Sequence, residues 1–401
     1  MTPRLEPRGE LAPSGAEVHI RPHAPPIELP VTTDGRNIDQ RLGVLEGEAA
    51  TIRSRVPSAA AALGPETLAK LTTATPGASR TYYEQPVIKR PPWKGWIPTY
   101  FFVGGAAGSA AALGAAAQVA GGKRLRPIVM PARWLATAGL AVSAGLLVAD
   151  LGRPARFLNM LRVFRPTSPM NVGTWILTTA GASAGASAVL PLLGARRLGD
   201  SAGLVAGVSG LALTSYTAVL IAATATPAWQ YGAQTLPLLL TASAAASGGS
   251  ALALLVRRRA PAATIARFAN VAKLAELAMA VAYERELASA GEVVVRHLRA
   301  GRAGLLSKIA RAATLASIVL SLAPGRSRTT RAASALLGLG GALASRFAVM
   351  DAGRASALDP RATFEPQRRA RASRLERTAE AGRRIATTNA GRARTAVLVT
   401  S

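Results

Sequence analysis

Long uncharged stretches dominate the hydropathy pattern of this chain. Residues 95–122, 172–195 and 201–256 contain no Asp, Glu, Lys or Arg. A helix needs only ~20 apolar residues to cross hydrocarbon, whereas a surface helix of a soluble protein shows one apolar stripe and one solvated face. The pattern predicts a polytopic membrane protein. Five crossings are expected at 97–120, 133–151, 172–194, 203–224 and 235–256. The last two are separated by Thr224-Ala225-Thr226-Pro227-Ala228-Trp229, because Pro lacks the amide donor and clashes with the preceding turn. Three further segments bring the expected count to eight: 263–283, which carries Arg267, Lys273 and Glu276; 305–324, with Lys308 and Arg311 near one end; and the Gly-rich 332–350. Hydrocarbon offers backbone groups no water, so the crossings must be helices, and the alternating ten-residue segments of a β-barrel are missing. The fold class expected is all-α integral membrane.

Composition narrows the chemistry. The 401 residues include no Cys and three His, namely His19, His23 and His297. A disulfide framework, a thiolate zinc site and a protein-held iron–sulfur cluster are thereby excluded, and no metal site is expected. The helices are built from Ala, Gly, Leu, Ser and Thr. Gly104/Gly108, Gly181/Gly185 and Gly203/Gly207 are small residues four apart, the spacing that lets helix backbones approach closely.

Three units follow from the distribution of Pro and charge. Residues 1–92 hold a Pro-rich patch (Pro22, Pro25, Pro26, Pro30) and nearly balanced charge, and read as a mostly disordered or extended arm with one short helix at 51–72. No apolar run follows Met1, so no cleavable signal peptide is expected. Residues 93–351 form the transmembrane domain. Residues 352–401 form a basic tail, suited to a lipid surface or to solvent; no recognition module for nucleic acid accompanies it. With eight crossings both termini share one side. The loops of the opposite side, near 121–133, 195–202, 257–262 and 325–331, are rich in Arg and Lys against a single acid, Asp200, which the positive-inside rule reads as cytoplasmic. The connector 152–171 also holds four Arg, so the orientation stays open.

That connector is the most informative stretch: Asp150-Leu151-Gly152-Arg153-Pro154, then Arg156-Phe157-Leu158-Asn159-Met160-Leu161-Arg162-Val163-Phe164-Arg165, then Thr167-Ser168-Pro169-Met170-Asn171-Val172-Gly173-Thr174-Trp175. An acid ends one helix and Arg153 follows close enough to pair with it. Gly-Arg-Pro forces a turn. A short amphipathic piece comes next, and Ser168 caps the following helix ahead of Pro169. On physics alone this is a membrane-surface connector. Its wording, however, closely resembles the NrfD/PsrC-type membrane subunit of polysulfide reductase-like oxidoreductases, with Asn171 standing where that family usually has Ser. Tyr82-Tyr83-Glu84-Gln85-Pro86-Val87-Ile88-Lys89, the entry from Trp93 to Gly108, Ser215-Tyr216-Thr217-Ala218-Val219-Leu220 with Pro227-Ala228-Trp229, and Asp351-Ala352-Gly353-Arg354-Ala355-Ser356 fit the same family, so the likeness covers roughly 82–366.

The resemblance implies eight helices in two four-helix bundles, seated in the cytoplasmic membrane. It implies a subunit with no redox centre of its own, docked to an iron–sulfur (ferredoxin-like) subunit and through it to a catalytic subunit, often a molybdopterin enzyme. Electrons would be exchanged with quinone (menaquinone or ubiquinone) near the docking face. Composition agrees: with no Cys and no His in the crossings, electrons must arrive from a partner's cluster. The candidate site residues are Asp150 for proton exchange, since an acid beside lipid is expensive unless used or paired; Tyr216 as a donor to a quinone carbonyl; and Arg153 to hold Asp150 ionised or steer the partner. Asp150 with Arg153 as a plain ion pair, and Tyr216 as an interfacial aromatic, are the simpler alternatives. Lys273 and Glu276 lie three apart on one helix face; they are a candidate proton relay or a self-neutralising pair. A polytopic transporter or proton channel is the alternative function, and a passive scaffold a third.

Overall fold

A computed structural model describes residues 87–380, leaving aside positions 94, 154, 257, 325, 326, 375 and 379. Nearly all of the expected N-terminal arm, its helix at 51–72 included, and the end of the C-terminal tail lie outside the described residues. Regular structure among the described residues is entirely helical: α1 (Trp96–Ala120), α2 (Gly122–Leu151), α3 (Ala155–Met160), α4 (Pro169–Val189), α5 (Arg196–Ala222), α6 (Pro227–Gln230), α7 (Leu236–Leu255), α8 (Arg259–Ala290), α9 (Glu292–Arg299), α10 (Gly301–Leu322) and α11 (Arg328–Leu358). A further helical stretch occupies 360–374.

Six of these helices, α1, α2, α5, α7, α10 and α11, are long and apolar enough to cross a membrane. The other two expected crossings are long helices of lower hydropathy. In α4, Thr, Ser, Gly and Ala dilute an uncharged sequence; α8 carries Arg267, Lys273 and Glu276. Both lie against crossing helices, α4 against α2 and α5, and α8 against α7. The helices sort into two groups of four, α1/α2/α4/α5 and α7/α8/α10/α11, which meet along α1 and α7. Local signals set the helix ends as expected. Pro227 restarts the chain after α5, and Ser168 Oγ accepts the Asn171 amide at 3.4 Å to cap α4.

Side chains are distributed as a lipid solvent dictates. Large apolar residues face outward, among them Val208, Leu211, Val271, Leu274, Leu305, Val319 and Leu336, while Ala, Gly and Ser fill the interior. Lipid is as apolar as Leu, so close packing and hydrogen bonds, not apolar burial, hold the helices together. Many hydroxyls are bonded back into their own helices, for example Thr137 to Arg133 O at 2.8 Å and Ser187 to Ala184 O at 2.7 Å. Ser317 and Ser334 exchange hydroxyl–carbonyl bonds of 2.6 and 2.8 Å and stitch α10 to α11.

Two of the three expected glycine pairs lie at helix contacts. A Cβ on Gly108 would sit 2.6 Å from Gly210 O, and one on Gly210 would sit 2.6 Å from Gly108 O, so α1 and α5 touch backbone to backbone. Gly104 presses on Ser143 and Gly207 on Ala115. Gly203 lies against Arg133 and Gln118. Gly181 and Gly185 meet nothing, because that face of α4 has no neighbour in the fold. Gly108→Ala should therefore lower the melting temperature of the detergent-purified protein, at an overpacking cost of about 1–3 kcal/mol. Gly185→Ala should leave it unchanged or raise it, since Ala is the better helix former. Equal melting of the two variants would refute the contact.

Candidate functional site

The connector after α2 is built around one side chain. Asn171, on the first turn of α4 and 7% exposed, donates from Nδ2 to Met160 O at 2.6 Å and Val163 O at 3.0 Å. Its Oδ1 accepts the Arg165 amide at 2.7 Å. Three backbone groups that no helix serves are thus closed by the residue at which the sequence departs from the expected Ser. Ser could not span all three. Around this anchor Phe157 and Leu161 are half-buried, while Leu158, Val163, Phe164, Met170 and Trp175 are exposed. Phe164 and Trp175 meet edge to face at 6.2 Å. The result is an apolar shelf at the membrane boundary.

Tyr216 on α5 is buried, and its hydroxyl donates to Pro169 O at the start of α4. Its ring lies over Gly173, where any Cβ would overlap the phenol. Tyr216 therefore positions the beginning of α4, and Gly173 is the vacancy that admits it. Asp150 lies at the end of α2, partly exposed, and makes no hydrogen bond or ion pair with any described residue. Arg153 is exposed and does not pair with it. Sequence reasoning brought the two together as an ion pair; the left-handed turn at Gly152 (φ 71°) separates them.

Segments far apart in sequence converge on the same face. Trp229 of α6 is fully buried, stacks on Trp93 with ring centroids 5.7 Å apart, and donates from Nε1 to Val349 O at 2.8 Å. The Ala228 amide donates to Ser356 Oγ at 3.1 Å, and Tyr283 Oη donates to Ala228 O at 2.9 Å. Gly353 is bare because the indole occupies the place of its side chain. Arg354 donates to Trp93 O and lies 3.2 Å from Asp351, whose other oxygen faces Arg302 at 3.2 Å. Tyr100, Tyr216, Trp229 and Tyr283 belong to one apolar cluster, with Phe157 at its edge. Ion pairs ring this face: Glu284 with Arg299 at 2.7 Å and with Arg311, and Asp359 with Arg296 and with His297 at 3.0 Å. Asp359 is held below the ordinary carboxylate range, because the bonds from Arg296 and His297 outweigh the burial that would raise it.

The second group of helices holds a different cluster. Lys273 and Glu276 are 2% and 4% exposed and do not form an ion pair. Neither Glu276 oxygen makes a hydrogen bond of standard geometry; the Ser243 hydroxyl comes close enough to favour its charge, and Arg346 and Lys273 act on it over a longer range. Arg346 of α11, 1% exposed, donates to Leu240 O at 3.0 Å and abuts Gly105 of α1 at the seam. Neither the role of Arg346 nor that of Asn171 was read from the sequence; a lone Arg inside the Gly-rich 332–350 segment was the available signal. A cavity of about 410 Å³ reaches Lys273 from the far end of this group, where α7 and α10 finish and α8 and α11 begin.

Residues 92–359 match the polysulfide reductase family model NrfD_2. The chain belongs to that family, as the connector motif implied, and is a multi-pass membrane subunit of the quinone-linked oxidoreductase type. Among curated proteins none matches it.

The anchor role of Asn171 is testable. Asn171→Ala leaves two carbonyls and one amide without partners, at about 1–3 kcal/mol for each group that water cannot reach. Trypsin should then cut after Arg156 and Arg162, the connector arginines not followed by Pro, faster than in the parent protein, with little change elsewhere. An unaltered digestion pattern would mean that the connector is held by other contacts.

Proposed function

We propose that this chain is the quinone-interacting membrane anchor of a multi-subunit oxidoreductase, seated in the cytoplasmic membrane. It passes electrons between the quinone pool and a docked iron–sulfur subunit, itself attached to a molybdopterin-type catalytic subunit. The carrying observation concerns Asp150. Nine acidic side chains lie between residues 87 and 374 (Asp150, Asp200, Glu276, Glu284, Glu286, Glu292, Asp351, Asp359 and Glu365). Seven are engaged by described residues: Asp200 by Arg133, Glu284 by Arg299 and Arg311, Glu286 by Thr235, Glu292 by Arg299, Asp351 by Arg354, Asp359 by Arg296 and His297, and Glu365 by Arg369. Asp150 and Glu276 remain; Glu276 is buried, whereas Asp150 is partly exposed at the end of α2, where the connector with its exposed Leu158, Phe164 and Trp175 begins.

Quinone reduction takes two electrons and two protons, and the reverse step returns them. A carboxylate locked in an ion pair must break it to accept a proton; an unengaged one exchanges freely. The shelf of Leu158, Phe164, Met170 and Trp175 suits the apolar tail of the carrier. Tyr216 reaches a quinone carbonyl only by releasing Pro169, so its first contribution is to hold the connector in position. The ion-paired collar around Trp93, Trp229 and Arg354 supports docking of the partner on this same face.

In the complex purified with its iron–sulfur subunit, Asp150→Asn should slow quinone-linked oxidation or reduction of the partner's clusters by about 10²-fold, the low end of general acid–base effects. Asp150→Glu should restore part of the rate. Tyr216→Phe should act more weakly, through the connector. Unchanged exchange in Asp150→Asn would leave the chain a passive scaffold, and solute flux through the isolated chain in liposomes would favour a transporter.

A further inference from the structure

A charge audit of the second helix group points beyond electron transfer. The buried Asp, Glu, Lys and Arg side chains among the described residues are Arg133, Lys273, Glu276 and Arg346. Arg133 is matched by Asp200 at 2.6 Å and Gln118 at 2.8 Å. The remaining three carry two cations and one carboxylate, so one positive charge is in excess inside the membrane unless an anion accompanies it. A lone charge there is costly.

The cavity opens beside the unpaired cation. Its walls include Lys273, Ser250, Ser334, Asn270 and, at the exposed rim, Arg331, and no acidic side chain lines it. Lys273 makes no hydrogen bond or ion pair with a described residue, and the Ser250 hydroxyl, 1% exposed, is also unpartnered. Both converge on Gly338, where a Cβ would sit 2.6 Å from Ser250 Oγ and 2.8 Å from Lys273 Cε. The remaining wall is largely alanine. A second cavity of about 170 Å³ shares Ala253 and Arg331 and adds Arg328 at the membrane face. Two buried donors below, two arginines at the mouth and apolar walls between describe a receptor for an oxyanion carried on an apolar stem.

We propose that this cavity binds a phosphate-type oxyanion, supplied by the headgroup of an anionic phospholipid, with Lys273 and Ser250 as its buried donors and Arg331 at its mouth. Basic pockets between transmembrane helices are the sites where such headgroups lodge, and the volume falls within the range of ordinary small-molecule sites. The site is separate from the Asp150 shelf, so its test needs no quinone.

The full chain, with whatever subunits co-purify, is stripped of lipid by detergent exchange. Melting temperature and native mass spectra are then followed while phosphatidylglycerol, phosphatidylcholine or inorganic phosphate is added. Phosphatidylglycerol should bind saturably and raise the melting temperature, whereas phosphatidylcholine should not. Lys273→Met and Arg331→Gln should each weaken that binding by about tenfold or more, the effect of losing a charged hydrogen-bond donor. Inorganic phosphate matching the lipid would keep the oxyanion site but overturn its lipid source. Equal binding of all three additives, or binding untouched by Arg331→Gln, would overturn the site itself; the rim variant carries the test even if Lys273→Met does not fold.

Discussion

Hydrocarbon offers no partner to a polar group, and the architecture of this chain answers to that constraint. Each charge placed inside it costs ~2.5–3.5 kcal/mol on insertion scales unless the protein supplies company. In the first helix group the charge has a counter-charge: Arg133 is held by Asp200, Gln118 and the Ser187 carbonyl at 3.1 Å, drawn from α5, α1 and α4, with only its Nε left unbonded. One cation thereby ties four helices at one end. In the second group the same logic is left open, with Lys273, Glu276 and Arg346 near one another but unclosed. That contrast, rather than any single residue, separates the two groups: one cation is paired in the first, and the charges of the second stay unpaired.

The opposite membrane face is organised by closure. The start of α1, the short α6, the end of α8 and the end of α11 meet there, and each supplies a donor or acceptor to another: Trp93 to Arg354, Ala228 to Ser356 and Tyr283, Trp229 to Val349. Glu286 completes the set by capping α7, accepting the Thr235 amide at 2.9 Å and the Gln234 amide at 3.2 Å. A negative charge at a helix start is favoured by the helix dipole. Such a face resists deformation, which is what a surface must do if a second protein is to bring a metal cluster within reach of a mobile carrier.

The amino-acid pattern revealed the helices and their order because charge-free runs and Pro breaks are local signals. It placed the Ser168 cap and the family motif for the same reason. Glycine pairs were a weaker guide. Gly104/Gly108 and Gly203/Gly207 lie at contacts, whereas Gly181/Gly185 do not, since spacing alone does not say which face meets a neighbour. The segment α9 was not anticipated: at eight residues it is short, and its buried Val294, Val295 and Leu298 are interleaved with charges. In the candidate site, Asp150 was legible as an acid at a helix end. The partner of Tyr216 was not, because Pro169 is 47 positions away and nothing in its identity announces an exposed carbonyl. The reading of Asn171 as a mere departure from Ser missed its three bonds, which depend on a loop shape no sequence motif encodes.

Asp150 and Glu276 are the two acids of the helical domain without a hydrogen bond or ion pair among described residues, yet their surroundings assign them different work. Asp150 stands at a helix end, partly exposed, just ahead of the connector whose large apolar residues are exposed. A proton can arrive from water there while a carrier arrives from lipid. Glu276 is sealed between α7, α8 and α11 with two cations in range. Its negative charge offsets one of the two in place, and a proton reaching it would leave both without a carboxylate in hydrocarbon. The energetics therefore favour proton exchange at the exposed acid and a standing electrostatic role for the buried one.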